Sequence, residues 1–375
     1  MARALDKLLV ARSHLLHNQH LPIIVSQDTC DHQKTSDIIQ KYADENEYVY
    51  FLRQTDRSDP APELPTKSRR NQLGYYKLAR HYKSGINSIF YNFNEVTGND
   101  YKNSKTDFST PNHVIILEDD LDVSEDFYTF MLAASQVLDV NDNLYCVSAW
   151  NDNGKPEFID TSEFANYKIH YSDFFPGLGW ILKKSIWEEW APKWPKAYWD
   201  DWVRGAEQRK NRSCLRPEVS RTQTFGKKGV SNGQFFDKHL KYMKLADTSN
   251  DKFISLQTWS NLLQPLRSKD QYNEIIISQV ENAHKIQVTQ LKSICGGGKN
   301  KVRVEYDSEA GFKSAAKIIG IMSDSKSGVP RTAYLGIVQA KYLNCERVFI
   351  TPSIEALESK YVNLRGYDTK WKGNP

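Results

Sequence analysis

Val114-Ile-Ile-Leu-Glu-Asp-Asp120 is the stretch on which the reading turns. A short apolar run of this kind reads as a buried strand. It ends in three consecutive carboxylates, Glu118, Asp119 and Asp120. Ligands of open α/β sheets bind outside the carboxyl ends of the strands. Adjacent acids repel one another unless a cation is present. Hard divalent ions such as Mn²⁺ and Mg²⁺ take carboxylate oxygens and keep positions for phosphate. A nucleoside diphosphate carried on such an ion fits this strand end. The other reading is that the acids cap the helix expected at 125–138, for which Ser124 or Asp122 is the cap residue. Spacing alone leaves both open.

Upstream, strands are expected at 22–28 and 47–52 with a helix at 32–44 between them. A Pro-, Asp-, Ser- and Arg-rich loop covers 53–70. Helical periodicity runs from about 72 to 90, and 95–112 reads as a polar surface insertion. Downstream, a strand at 144–149 leads into Trp150-Asn-Asp-Asn153, and 170–240 is dense in Trp, Phe, Gly and Pro. This alternation predicts an α/β protein with an open, largely parallel sheet. The tail differs. Expected strands at 273–279, 301–306 and 346–351, a Gly-Gly-Gly hinge at 296–298 and a helix at 311–321 suggest a smaller α+β module. The division falls near 245–270 and gives two domains, 1–250 and 251–375.

Three further stretches carry chemistry. In Pro192-Lys-Trp-Pro-Lys-Ala-Tyr-Trp-Asp-Asp-Trp202 two acids are flanked by tryptophans. Such low-dielectric walls raise a carboxylate pKa and make it usable as a general base, and tryptophan faces stack on sugar rings. An aromatic–acid loop packed for stability is the competing reading. Phe174-Phe-Pro-Gly-Leu-Gly-Trp180 forces tight turns, for structure or for binding. Thr224-Phe-Gly-Lys-Lys-Gly-Val-Ser-Asn-Gly-Gln-Phe-Phe236 suits a lid over phosphate or an ordinary loop. Taken singly, His81 reads as a structural histidine and Asp28 as a turn residue.

Composition excludes several classes. With 39% hydrophobic and 26% charged residues in 375, global disorder is excluded. The net charge of +4 is too small and too dispersed for a nucleic-acid binder, and Lys67-Ser-Arg-Arg70 and Lys227-Lys228 read as solvated faces. No run of about 18 apolar residues is present. The opening MARALDKLLVARSHLL reads as an amphipathic helix rather than a signal peptide. Five cysteines without a Cys-x-x-Cys do not suggest zinc.

Together, IIVSQD, GYYKLARHY, EDDL, LYCVSAWNDNGK, DFFPGLGW, PKWPKAYWDDW, RPEVSRTQTFGKKGVSNGQFF and KSGVPRTAYLGIV resemble one family from about residue 3 to the end. It is the alpha-1,3-mannosyl-glycoprotein 2-beta-N-acetylglucosaminyltransferase (N-acetylglucosaminyltransferase I) family. The protein O-mannose N-acetylglucosaminyltransferases share the EDDL, SAWND and PGLGW words but resemble the chain less at PKAYWDDW, GKKGVSNGQFF and KSGVPR.

The resemblance implies a GT-A, Rossmann-like nucleotide-sugar fold with a smaller C-terminal domain. It implies inverting transfer of GlcNAc from UDP-GlcNAc to the α-1,3-linked mannose of an oligomannose N-glycan, in β-1,2 linkage and with Mn²⁺. Asp120 would be the direct metal ligand, Glu118 would hold GlcNAc hydroxyls, and Asp119 the ribose. Asp200 would be the base, with Trp199 beside the sugar. Asp28 and His81 would bind uracil with Leu78 nearby, and Val230 and Ser231 would lie in the loop over the UDP. Cys146 and Cys214 would form a disulfide in the oxidising Golgi lumen. Asn211-Arg-Ser213 is an N-glycosylation sequon. Family members carry a membrane anchor, a stem and a first strand ending in Cys-Asp-Arg. The chain opens just beyond that turn, which implies an exposed apolar face on helix 3–16, a free thiol at Cys30, weak stability and little activity. The alternatives are the O-mannose activity and a catalytically impaired binding module.

Overall fold

The computed structural model describes residues 1–15, 21–29, 31–54, 73–97, 111–227, 229–230, 233, 235–249, 252–298 and 300–358. Its architecture is mixed α/β, with several sheets and no barrel among the described residues. Helix α1 (Ala2–Ser13) comes first. Ala4, Leu5, Leu8 and Ala11 recur at helical spacing and are buried. Leu5, Leu8 and Ala11 join the main apolar core. The expectation of an exposed apolar face is therefore wrong. The helix lies along β4 (Leu121–Val123), and Arg3 Nε donates to Asp122 Oδ1 at 2.9 Å. Burial of each leucine contributes about 1.5–3 kcal/mol.

Strand β1 (Ile23–Asp28) pairs in parallel with β2 (Val49–Gln54) across helix α2 (Gln33–Glu45), a right-sized βαβ unit. Helix α3 (Leu73–Tyr91) buries Ala79, Ile86, Ile89 and Phe90. The β1–β2 pair forms its own sheet.

A five-stranded sheet holds the centre. It contains β3 (His113–Ile116), β5 (Leu144–Ser148), β6 (Ile169–Ser172), β7 (Trp180–Lys183) and β8 (Ser213–Pro217), in the order β3-β7-β5-β8-β6. The sheet is mixed, and the expectation of a largely parallel one is wrong. Only the β5–β8 ladder is parallel; β3–β7, β7–β5 and β6–β8 are antiparallel. The reversal falls in the 149–168 connection, after which β6 and β7 both run against β5 and β8. The 174–180 turn then carries the chain from the β6 edge to the position between β3 and β5 without changing its direction, and Gly177, Leu178 and Gly179 have φ of 68°, 49° and 92° there. A Cβ on Gly179 would stand 2.7 Å from Thr222 Cγ2. The turn is structural: Ser148 Oγ donates to Gly177 O at 2.8 Å and Thr222 Oγ1 to Leu178 O at 2.6 Å. Strands β3, β5 and β8 still run in one direction, so their carboxyl ends open on the same edge.

Helix α4 (Phe127–Val140) covers one face of this sheet, starting two residues later than the sequence suggests and after Asp126. Asp126 is fully buried with Arg221, whose Nη2 is 3.3 Å away. Strand β9 (Thr222–Thr224) pairs with β4.

Residues 273–279, expected as a strand, belong to helix α6 (Lys269–Glu281). Three consecutive isoleucines mimic a strand, but Tyr272, Ile276 and Val280 are buried at steps of four while Ile275 faces outward. Earlier in the chain, Trp199–Val203 forms a short helix, α5. The glycines at 296–297 end a helix at Leu291–Gly297. Strands β10 (His284–Lys285), β11 (Lys301–Glu305), β14 (Val338–Tyr342) and β15 (Cys345–Thr351) form a four-stranded sheet, backed by α7 (Glu309–Ile319). A hairpin of β12 (Ser325–Lys326) and β13 (Val329–Pro330) precedes β14. Glu218 joins the two larger sheets: Arg347 Nη1 donates to it at 3.0 Å and His170 Nε2 lies 2.9 Å away.

Cys146 and Cys214 are bridged, and they face one another directly across β5 and β8. A second disulfide, Cys295–Cys345, ties the 291–297 helix to β15. Cys30 lies outside the described residues.

Candidate active site

The turn after β3 puts Glu118, Asp119 and Asp120 at the open edge, next to the segment that follows β9. Asp120 O accepts from Phe225 N at 2.9 Å, which binds the two segments together. Asp120 Oδ1 is buried and has no hydrogen-bond partner among the described residues. Desolvation, and then the charge of Asp119, raises the Asp120 pKa. Its Oδ2 lies so close to Gly226 that a Cβ there would be 1.8 Å away. A carboxylate oxygen buried without a partner, against a glycine that admits no side chain, suits a cation with open positions. Among the described residues no group of three or more His, Cys, Asp or Glu could hold a metal. Asp120 thus stands outside any ready-made protein cage, and a cation held by it would take its remaining ligands from a bound molecule. The helix-capping reading does not hold, since Asp126 is the residue that precedes α4.

Glu118 accepts a hydrogen bond from Tyr82 Oη at 3.0 Å. Its pKa is pushed up to about 7, first by desolvation and then by Asp120, Asp200 and Asp119. It remains accessible from the cleft, so water screens part of that push. The Tyr82 ring stacks on Trp199 with centroids 4.2 Å apart. Trp199 is itself buried among Trp180, Trp194 and Phe175. It opens the short helix α5, preceded by Tyr198 at φ 53°, a left-handed backbone that non-glycine residues seldom adopt. That turn sets Asp200 and Asp201 at the rim of the tryptophan wall. Both side chains are 42% exposed, and Arg204 Nη1 donates to Asp200 Oδ2 at 2.7 Å and to Asp201 Oδ1 at 3.1 Å.

On the other side of α3, Asp28 ends β1 and accepts from Arg80 Nη2 at 3.3 and 3.4 Å. His81 Nε2 lies 2.8 Å from Ser26 Oγ, which also accepts from Gln54 Nε2. Burial lowers the His81 pKa, against the pull of Asp28. A neutral imidazole and a carboxylate held at one strand end present both a donor and acceptors to a polar planar group. Helix α3 thus carries His81 toward β1 and Tyr82 toward Glu118.

The sequence pattern of the GNT-I family matches residues 1–361. The chain belongs to the GNT-I family. An Arabidopsis thaliana protein named alpha-1,3-mannosyl-glycoprotein 2-beta-N-acetylglucosaminyltransferase is 37% identical over 329 residues. The match takes in 88% of this chain and 66% of that relative, so the chain spans just under two thirds of its length.

The expected site residues of this GNT-I family chain fall into two groups that share α3. Tyr82 joins Glu118 to Trp199, and the charges of Asp120 and Asp200 act on Glu118. Asp28 and His81 are joined through Arg80 and Ser26. Leu78 is half-buried on α3, one turn before His81. Asp119 is 66% exposed and contacts the amino-terminal end of the chain, with Asp119 O accepting from the Met1 nitrogen at 3.1 Å. Val230 packs on the start of α3: a Cβ on Gly74 would stand 2.8 Å from both of its methyl groups. Ser231 lies outside the described residues. Sequence reading missed Tyr82, Arg204 and Gly226. Arg204 sits four residues after Asp200, one helical turn, and that spacing could have found it. Tyr82 has no such local signal, because its partners are 36 and 117 positions away.

Proposed function

We propose that the chain is an inverting glycosyltransferase of GT-A type that transfers GlcNAc from UDP-GlcNAc to the α-1,3-linked mannose of an oligomannose N-glycan, forming a β-1,2 linkage. The observation that carries this reading is the buried, unpartnered Oδ1 of Asp120 pressed against Gly226 at a strand end, with Asp200 exposed beyond the tryptophan wall. The name of the Arabidopsis relative, an alpha-1,3-mannosyl-glycoprotein 2-beta-N-acetylglucosaminyltransferase, favours an α-1,3-linked mannose as acceptor over an O-mannosyl protein. We further propose a division into a nucleotide-sugar domain at 1–250 and a smaller domain at 251–375, and residence in the Golgi membrane with the catalytic part in the lumen. The paired cysteines support an oxidising compartment.

Asp120 would hold Mn²⁺. When bound, such an ion neutralises charge developing on a leaving diphosphate. Asp28 and His81 bind the edge of the base, and Asp119, open to solvent, accepts from the ribose. Glu118, braced by Tyr82, takes the GlcNAc hydroxyls. The acceptor hydroxyl oxygen attacks the anomeric carbon from the side opposite the diphosphate while Asp200 takes its proton. One displacement of this kind inverts the configuration at that carbon. Trp199 keeps water from the attacked face.

The test is transfer from UDP-GlcNAc to an oligomannose N-glycan and, separately, to an O-mannosyl peptide, each with and without Mn²⁺. The expected result is Mn²⁺-dependent transfer to the N-glycan with a β-linked product. Transfer confined to the O-mannosyl peptide, an α-linked product, or no donor binding in calorimetry would overturn the reading.

A further inference from the structure

Asp200 and Asp201 are neighbours, equally exposed, and share one nitrogen of Arg204. Geometry at Arg204 does not by itself tell them apart. Arg204 is fixed: it is 9% exposed, its Nε donates to Phe175 O at 3.2 Å, and its guanidinium lies over Phe174. One buried cation against two carboxylates leaves the pair in competition for it.

A second cation arrives from the far end of the chain. Lys326 Nζ lies 3.2 Å from both Oδ1 and Oδ2 of Asp201. It stands on β12 of the 324–331 hairpin, whose central residues Ser327 and Gly328 have φ of 47° and 80°. Positive φ at both centres belongs to the tight two-residue hairpin turn that matches strand twist. The base of the hairpin is clamped by Arg331, which donates to Asp324 at 2.8 and 2.9 Å and to the buried Asp152 that follows β5. Lys326 is thus delivered by a rigid element keyed to the central sheet. Asp201 is engaged on both oxygens. Asp200 is engaged only at Oδ2, and no hydrogen bond to its Oδ1 occurs among the described residues.

We propose that Lys326 is a positioning residue for the transfer step, acting through Asp201 so that Asp200 alone of the pair presents a carboxylate oxygen to the acceptor. This rests on the reading of Asp200 as the base. Glu118 and Tyr82 lie within electrostatic reach of Asp200, and Tyr198 within reach of Asp201. Lys326 is the cation that the hairpin brings to Asp201. Without it, Asp201 and Asp200 contend for Arg204, and Asp200 loses its fixed direction. A surface ion pair of no consequence is the competing account, since Lys326 is 39% exposed and such pairs are worth little.

The experiment is a double-mutant cycle on the full chain with Lys326→Met, Asp201→Asn and the double variant, with Lys326→Arg alongside. UDP-GlcNAc affinity with Mn²⁺ is read by calorimetry, transfer to an oligomannose N-glycan by kcat and KM, and folding by thermal melt. Lys326→Met is expected to lower kcat about tenfold and to leave donor Kd within about twofold, the signature of an interaction used in the transfer step. Lys326→Arg is expected to restore kcat to within about threefold of wild type. In the Asp201→Asn background, Lys326→Met is expected to cost less than about twofold, because its route of action is gone. An active wild type with a wild-type kcat in Lys326→Met, an undiminished loss in the Asp201→Asn background, or a donor Kd weakened as much as kcat overturns this inference alone. A wild type that binds donor but transfers to no mannose overturns the functional reading and this inference with it.

Discussion

Replacing Gly226 by alanine tests the proposal that Asp120 holds a metal ion, without touching a carboxylate. The added Cβ would lie 1.8 Å from Asp120 Oδ2, 2.6 Å from Cγ and 2.8 Å from Cβ. Real Cβ contacts do not fall below 3.0 Å, so at least about 1.2 Å must be found (3.0 less 1.8). The segment cannot simply swing out, because Phe225 N is bonded to Asp120 O and Gly226 N to Thr224 Oγ1. Asp120 has little room to retreat with Oδ1 already buried. The strain therefore falls on the direction of the Asp120 carboxylate. A misplacement of about 1 Å costs about 10²-fold in a pre-organised site, equivalent to about 2.7 kcal/mol. The expected outcome is a loss of about 100-fold in Mn²⁺-dependent kcat/KM and a clear weakening of UDP-GlcNAc binding in calorimetry, with the thermal midpoint little changed. Gly229→Ala is the control, since a Cβ there meets nothing within 4 Å. If Gly226→Ala binds donor and metal as wild type does, Asp120 is not the ligand, and the close approach at Gly226 is only packing.

Other outcomes follow from the same geometry. Asp200→Asn keeps donor affinity and lowers kcat by about 10²–10⁴-fold, the contribution of a placed general base; a loss under about tenfold would remove Asp200 from that role. The buried His170, beside Glu218, has a pKa lowered to about 4, first by desolvation, against an ordinary value of 6.5. The unfolded chain takes the proton first, so this residue's share of stability is whole above pH 6.5 and declines as pH falls toward 4, by up to about 3 kcal/mol. Urea midpoints measured across that range should fall, and His170→Gln should flatten the trend; a flat wild-type profile would contradict it. Removing the Cys146–Cys214 bridge, which spans 68 residues, should cost about 4 kcal/mol on the loop-entropy account, and an unchanged denaturant midpoint in Cys146→Ala/Cys214→Ala would argue against it.

Local signals made much of this protein legible. Helices α2, α3 and α7 follow from apolar spacing, and the strand at 113–116 from an apolar run that stops at charge. The acids of that strand end and the tryptophan-flanked pair at 200–201 stand out because carboxylates so arranged require a partner. The bridge between Cys146 and Cys214 was legible only through family resemblance, and the second bridge, Cys295–Cys345, not at all, since spacing does not pair cysteines. The isoleucine run at 275–277 misled because a buried helix face and a strand share the same residues. Only neighbours from elsewhere in the chain decide between them.

Tertiary structure alone decided the rest. The position of β7 between β3 and β5 depends on three left-handed residues at 177–179 and on hydrogen bonds from Ser148 and Thr222, 29 and 44 positions away, and its antiparallel sense on the chain reversal between β5 and β6. Tyr82 acquires its meaning from Glu118 and Trp199, and Lys326 from Asp201, 125 residues earlier. Residue type and periodicity are local properties, and they mark which side chains must be buried or paired. The identity of the partner is set when separate segments close on one core, and no window along the chain contains that information.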